Sequence, residues 1–162
     1  MERRGRWVQS IIIGLIVACP PTAFVAAQGS HAQSAGTIAP ADKPFVEHRL
    51  VLQLSDDDAK KQSLVISVAY NLLKFYGPDK IAIEVVTFGP GIALLRADSP
   101  NRKFVDSLVA QGVQFDLCMN TVDTIKRETG HVPPFNPKAR PVEAGVAQIL
   151  ALTEKGYTLV RP

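Results

Sequence analysis

The chain has 162 residues, two of them cysteine, with 46% hydrophobic and 20% charged residues and a formal net charge of +3. That length suits one domain built round one core. Two cysteines cannot supply a disulfide scaffold, and neither CxxC pairs nor His/Cys spacing of the zinc-binding kind occurs.

The chain opens like a secretory leader. Arg3, Arg4 and Arg6 precede an apolar run from Ile11 to Ala18, Pro20 and Pro21 end it, and Phe24-Val25-Ala26-Ala27 offers small residues for cleavage. The run is about half the roughly 20 residues needed to span a bilayer. Residues 1–27 are therefore expected to be a cleaved signal peptide, leaving no membrane span and placing the mature protein in the periplasm or outside the cell. Ile16-Val17-Ala18-Cys19 offers an alternative, lipoprotein processing at Cys19, although Pro20 fits that signal poorly. Arg3-Arg4 matches a twin-arginine signal poorly too. Loss of Arg3, Arg4, Arg6 and Glu2 lowers the net charge to +1. A near-neutral domain has no electrostatic footprint for nucleic acid.

Residues 28–44, rich in Ala, Ser, Gly and Pro, read as a disordered linker. The domain is expected over residues 45–162. Leu50 to Leu54 reads as a buried strand, followed by Ser55 and Asp56-Asp57-Asp58 as cap and acidic first turn. Leu64, Val65, Val68, Ala69, Leu72, Leu73 and Tyr76 predict an amphipathic helix that Gly77-Pro78 stops. Ile81 to Val86 is a second strand whose unbroken β-branched run fits burial on both faces. Phe88-Gly89-Pro90-Gly91 reads as a turn. Phe104, Val105, Leu108 and Val109 mark a helix ending at Gly112. Val113 to Cys118 is the third strand, with Asn120 or Thr121 as cap of the helix after it. A Pro-rich loop from His131 to Pro141, a short strand at Val142, a helix from Gly145 to Lys155 and a strand from Tyr157 to Arg161 complete the chain. This alternation predicts an α/β fold, a three-layer α/β/α sandwich on a parallel sheet.

Ligands of such sheets bind beyond the carboxyl ends of the strands. Cys118 stands there, the lone thiol once Cys19 leaves, and a helix N-terminus beside it favours a thiolate. The same residue can equally be a small buried hydrophobe. Gly89 and Gly91 could bring backbone N–H groups to an anion or merely form a tight turn; the Walker and dinucleotide fingerprints are both absent. Asp56 to Asp58 are better explained by capping than by a cation. Lys126, Arg127, His131, Lys138 and Arg140 could draw anions towards the thiol or form a solvated loop. No Ser/His/Asp set supports hydrolase chemistry.

Together these pieces resemble the DsrE/DsrF-like family, in its exported single-domain branch. The resemblance covers His48 to Pro162. It rests on Val85-Val86, Phe88-Gly89-Pro90-Gly91, Leu94-Leu95, Gly112-Val113-Gln114-Phe115, Cys118, Asn120-Thr121, Gly145, Gly156-Tyr157 and Arg161-Pro162. It implies a five-stranded parallel sheet, homo-oligomers (trimers or hexamers) and sulfur handling, with Cys118 where a sulfur-carrying cysteine sits. Asn120, Thr121, Gly89 and Gly91 would then help bind the substrate. The expected function is a sulfur carrier or sulfurtransferase-like protein without metal or cofactor, working with a sulfur-donor or acceptor protein. The alternative is a non-catalytic binding or assembly module in which Cys118 is structural. The sulfur-relay members are cytoplasmic, and in this the exported chain departs from them.

Overall fold

The structure is a computed structural model that describes residues 43–162; the leader and nearly all of the linker lie outside the described residues. Five strands form one sheet: β1 (His48–Leu54), β2 (Ile81–Thr87), β3 (Gln114–Cys118), β4 (Arg140–Val142) and β5 (Thr158–Val160). The order is β4-β3-β2-β1-β5 and every pairing is parallel. Four α-helices connect them: α1 (Ala59–Tyr76), α2 (Arg102–Ala110), α3 (Met119–Thr129) and α4 (Gly145–Glu154). The α/β sandwich expected of the sequence is the fold.

Handedness decides which helix covers which face. From β1 to β4 the chain steps across the sheet in one direction, so right-handed crossovers put α1, α2 and α3 on the same side. There Val65, Ala69, Val105, Leu108 and Val122 pack on Leu52, Ile83, Val85 and Phe115. After β4 the chain doubles back to β5 beside β1. That reversal sends α4 to the opposite face, where Ile149 and Leu152 pack on Val51, Ala82 and Val86. Among the described residues, one α-helix thus covers a face where three cover the other.

Two local features differ from the sequence reading. Residues Gly89–Leu95 are a 3-10 helix rather than a bare turn. Its Gly91 lies so close to β1 that a Cβ there would fall 2.3 Å from the Leu54 carbonyl oxygen. The helix α1 is also rotated from its expected phase. Its N-cap is Asp58, whose carboxylate accepts the Lys61 N–H at 2.9 Å. Its buried stripe is Gln62, Val65, Ile66, Ala69 and Leu73, whereas Leu64 is 47% exposed and Leu72 is only partly buried. A polar residue, Gln62, occupies a core position because its amide bonds the Asp57 carbonyl (3.2 Å) and Asn101 (3.1 Å). Leu73→Ala should therefore cost ~2–4 kcal/mol, and Leu64→Ala no more than ~0.5 kcal/mol. Urea denaturation of the two variants checks the phase; equal losses would contradict it.

Candidate functional site

The chain reversal that moves α4 also creates the site. At the carboxyl edge of the sheet β3 feeds α3 on one face, while its neighbour β4 feeds α4 on the other. The two connections diverge, and the crevice between them is where open α/β sheets bind ligands. Cys118 is the last residue of β3 and the N-cap residue of α3. Its Sγ accepts the backbone N–H of Gly145, the first residue of α4, at 3.2 Å. The sulfur thus stands at two helix N-termini at once, where both helix dipoles favour negative charge; the Asn120 N–H at the start of α3 also donates to the Glu143 carbonyl at 3.1 Å.

The fit around it is close. Cys118 is 4% exposed. A Cβ on Gly145 would lie 3.1 Å from Phe88 Cβ and 3.4 Å from Cys118 Cβ, so glycine is what lets α4 begin against the sulfur. Burial pushes the thiol pKa up. The Thr121 hydroxyl and the backbone N–H groups of Gly145, Thr121 and Asn120 oppose it, and the result lies below the ordinary thiol value. The hydroxyl oxygen of Thr121 meanwhile accepts the Gly89 N–H at 2.9 Å. That bond leaves its proton for the sulfur.

The residues picked from the sequence therefore separate. Cys118, Thr121 and Gly89 come together. Asn120 does so only through its backbone: its side chain is exposed, and neither it nor Thr121 is the cap, since α3 begins at Met119 and Cys118 takes the cap position. Gly89, at φ +53°, spends its amide on Thr121, and the Gly91 amide donates to the Phe88 carbonyl at 3.1 Å. Gly91 serves close packing on β1. Of the basic residues beyond Cys118, Arg140 turns inward, Lys138 approaches Asp106 at 3.9 Å, and Arg127 donates to Thr124.

Arg140 belongs to a charged group that the sequence reading missed. On the sheet face of Cys118, under α4, Arg140 bonds Asp116 at 2.8 and 2.9 Å and Glu84 at 2.5 Å. The Asp116 side chain is completely buried and that of Glu84 nearly so. Gln148 of α4 adds a bond to Glu84 at 3.3 Å. Two carboxylates facing one guanidinium leave an excess negative charge. Burial raises the Asp116 carboxyl, the hydrogen bond and charge of Arg140 pull it down and Glu84 pushes it up, and the balance leaves it at about 7. Burial, then Glu84, likewise raise Tyr157 to about 12. The available signal was a carboxylate in the middle of each of two strands with apolar neighbours, which demands a cation close by.

A solved structure shares this architecture: a protein of unknown function, MTH1491, from Methanobacterium thermoautotrophicum. It aligns at a TM-score of 0.64 and 31% identity, over 72% of this chain and all of the other. The chain belongs to the family of MTH1491. That kinship covers the whole length of MTH1491 and fixes the fold, while the function of MTH1491 is itself unknown. No protein-family profile and no curated protein matches the chain.

Proposed function

We propose that the protein is a sulfur carrier that holds sulfane sulfur on Cys118, in line with its resemblance to DsrE/DsrF-like proteins. The supporting observation is the sulfur at the meeting point of α3 and α4, with Gly145 N–H and the Thr121 hydroxyl ready to stabilise a thiolate. In loading, the Cys118 thiolate attacks the sulfane sulfur of a persulfide R–S–SH. The Sγ–S bond forms, the S–S bond of the persulfide breaks, and RS⁻ leaves with the electron pair. Unloading is the reverse reaction with an acceptor thiolate. Sulfane sulfur moves without net oxidation, so neither direction needs an external oxidant.

The near-complete burial of Cys118 favours a second reading, an assembly module in which the thiol only packs. Alkylation of the native protein against pH separates the two. A carrier thiol should titrate below the ordinary thiol value, whereas a packing thiol should react only after denaturation. Thr121→Val should slow alkylation at pH 7 by roughly three- to tenfold, as loss of a hydrogen bond to a charged group does. Asn120→Ala should leave the rate within roughly twofold, its backbone N–H being retained.

Export and assembly belong to the same proposal. The resemblance carries trimers or hexamers, and Val146 and Leu150 on the outer face of α4 give copies an apolar surface to share. Trp7, the single tryptophan, lies in the leader. Protein recovered from the cell envelope should accordingly show tyrosine emission without a tryptophan band; a tryptophan band would show that the leader remains.

A further inference from the structure

A cleft adjoins the thiol site. It lies between the 3-10 helix and α3, beside the loop 131–135, with a volume of about 490 Å³. Gly89 and Thr121, the pair joined by a hydrogen bond beside Cys118, belong to its wall. Cys118 itself does not line it, but Thr121, whose hydroxyl acts on the sulfur, does.

The rest of the wall decides what the cleft can hold. Ile92, Ala93, Ile125 and Phe135 make most of it apolar. Its two fully charged residues offset each other. Arg96 is already held by Asp98 through bonds of 3.0 and 3.2 Å, and Glu128 is the opposite charge. The His131 ring faces the Thr129 carbonyl at 3.2 Å. A dianion such as thiosulfate would lose hydration here without gaining a free cation. An uncharged carbon body would bury apolar surface, and the volume suits a small organic molecule.

We infer that this cleft binds the carbon body of a small organic persulfide whose R group carries no charge, and which exchanges its terminal sulfur with Cys118 across the Gly89–Thr121 edge. The inference rests on the carrier reading and adds the class of donor and acceptor. The exchange is the balanced step already given, with R now seated in the cleft.

The test uses the processed protein with two donors: benzyl persulfide generated from its trisulfide, and inorganic polysulfide. Loading is read as an added sulfur atom in the intact mass. Ala93→Phe should fill the cleft and slow loading by benzyl persulfide about tenfold, since burying two methylene-sized groups is worth about an order of magnitude in affinity. Polysulfide loading should stay within about twofold of the parent protein, because a surface-side substitution leaves the thiol untouched. Ile125→Phe, from the opposite wall, provides the same comparison should the first variant fold poorly. Benzyl methyl sulfide, which cannot transfer sulfur, should shift the amide resonances of Ala93, Thr121 and Thr124 in the parent protein. Absence of those shifts, or equal effects of the cleft variants on both donors, would overturn the inference and leave polysulfide loading, and with it the carrier reading, standing. Failure of both donors to load the parent protein would overturn the carrier reading and the inference together.

Discussion

Arg140→Met should destabilise the domain by ~3–5 kcal/mol at pH 8, since it strands buried carboxylates without their cation. That is a large part of the ~5–15 kcal/mol that holds a domain of this size folded. Asp116 is completely buried and Glu84 nearly so, and Arg140 is the cation within bonding distance of both. The pH dependence carries a definite sign. The folded-state pKa of Asp116 is raised to about 7, whereas an unfolded aspartate titrates near ~3.9. Between those values the native state holds more protons than the unfolded chain, so this group lowers stability as pH rises from about 4 to about 7, after which its effect levels off. The deficit of Arg140→Met should consequently shrink at pH 5, where the carboxyl is protonated. Asp116→Asn should flatten the decline in the parent protein, with Arg140 left to Glu84. Urea midpoints at pH 5 and pH 8 for the three proteins provide the check. A deficit in Arg140→Met that grows towards acid would contradict the assignment.

Cys118→Ser should abolish sulfur loading while leaving the fold in place. The hydroxyl is nearly isosteric with the thiol and can accept the same Gly145 N–H. The expected readout is an intact mass that never gains sulfur from polysulfide or an organic persulfide, against a parent protein that does and that a thiol reductant returns to its starting mass. Cys118→Ala should behave alike. Loading that persists in Cys118→Ser would remove the thiol from the mechanism. Gly145→Ala offers a graded companion: its methyl would meet Phe88 and Cys118 Cβ at 3.1 to 3.4 Å. The strain should shift the start of α4 and slow loading without eliminating it.

Much of this arrangement could be read from residue patterns, and the unread part has a common cause. Strands β2 and β3 were legible because Ile81–Thr87 and Gln114–Cys118 are buried throughout and rich in apolar residues. Glycine endings located α1 and α2, where Gly77 and Gly112 take positive φ. The phase of α1 was less legible. Leu64, Val65 and Ile66 are consecutive apolar residues, and periodicity alone cannot tell which one faces outward. The 3-10 helix escaped notice because Gly89-Pro90-Gly91 looks like a turn. Its geometry depends on how closely Gly91 approaches Leu54. At the site, the position of Cys118 at a strand end was local information. The second helix N-terminus was not, because Gly145 lies 27 residues further on and reaches the sulfur only through the reversal after β4. Arg140 reaches Glu84 across 56 residues in the same way. What stayed hidden was long-range pairing across the sheet.

The short outer strands have a consequence for how copies of this chain can meet. Both borders of the sheet are only three residues long, Arg140–Val142 on one side and Thr158–Val160 on the other. Pro141, at the centre of the first, has no N–H to donate. A foreign strand would find too few open backbone groups on either border to extend the hydrogen-bonded ladder, a pattern that guards against runaway stacking of sheets. Association that preserves this fold is thereby directed to side chains on the helical surfaces, where contacts are set by shape and composition.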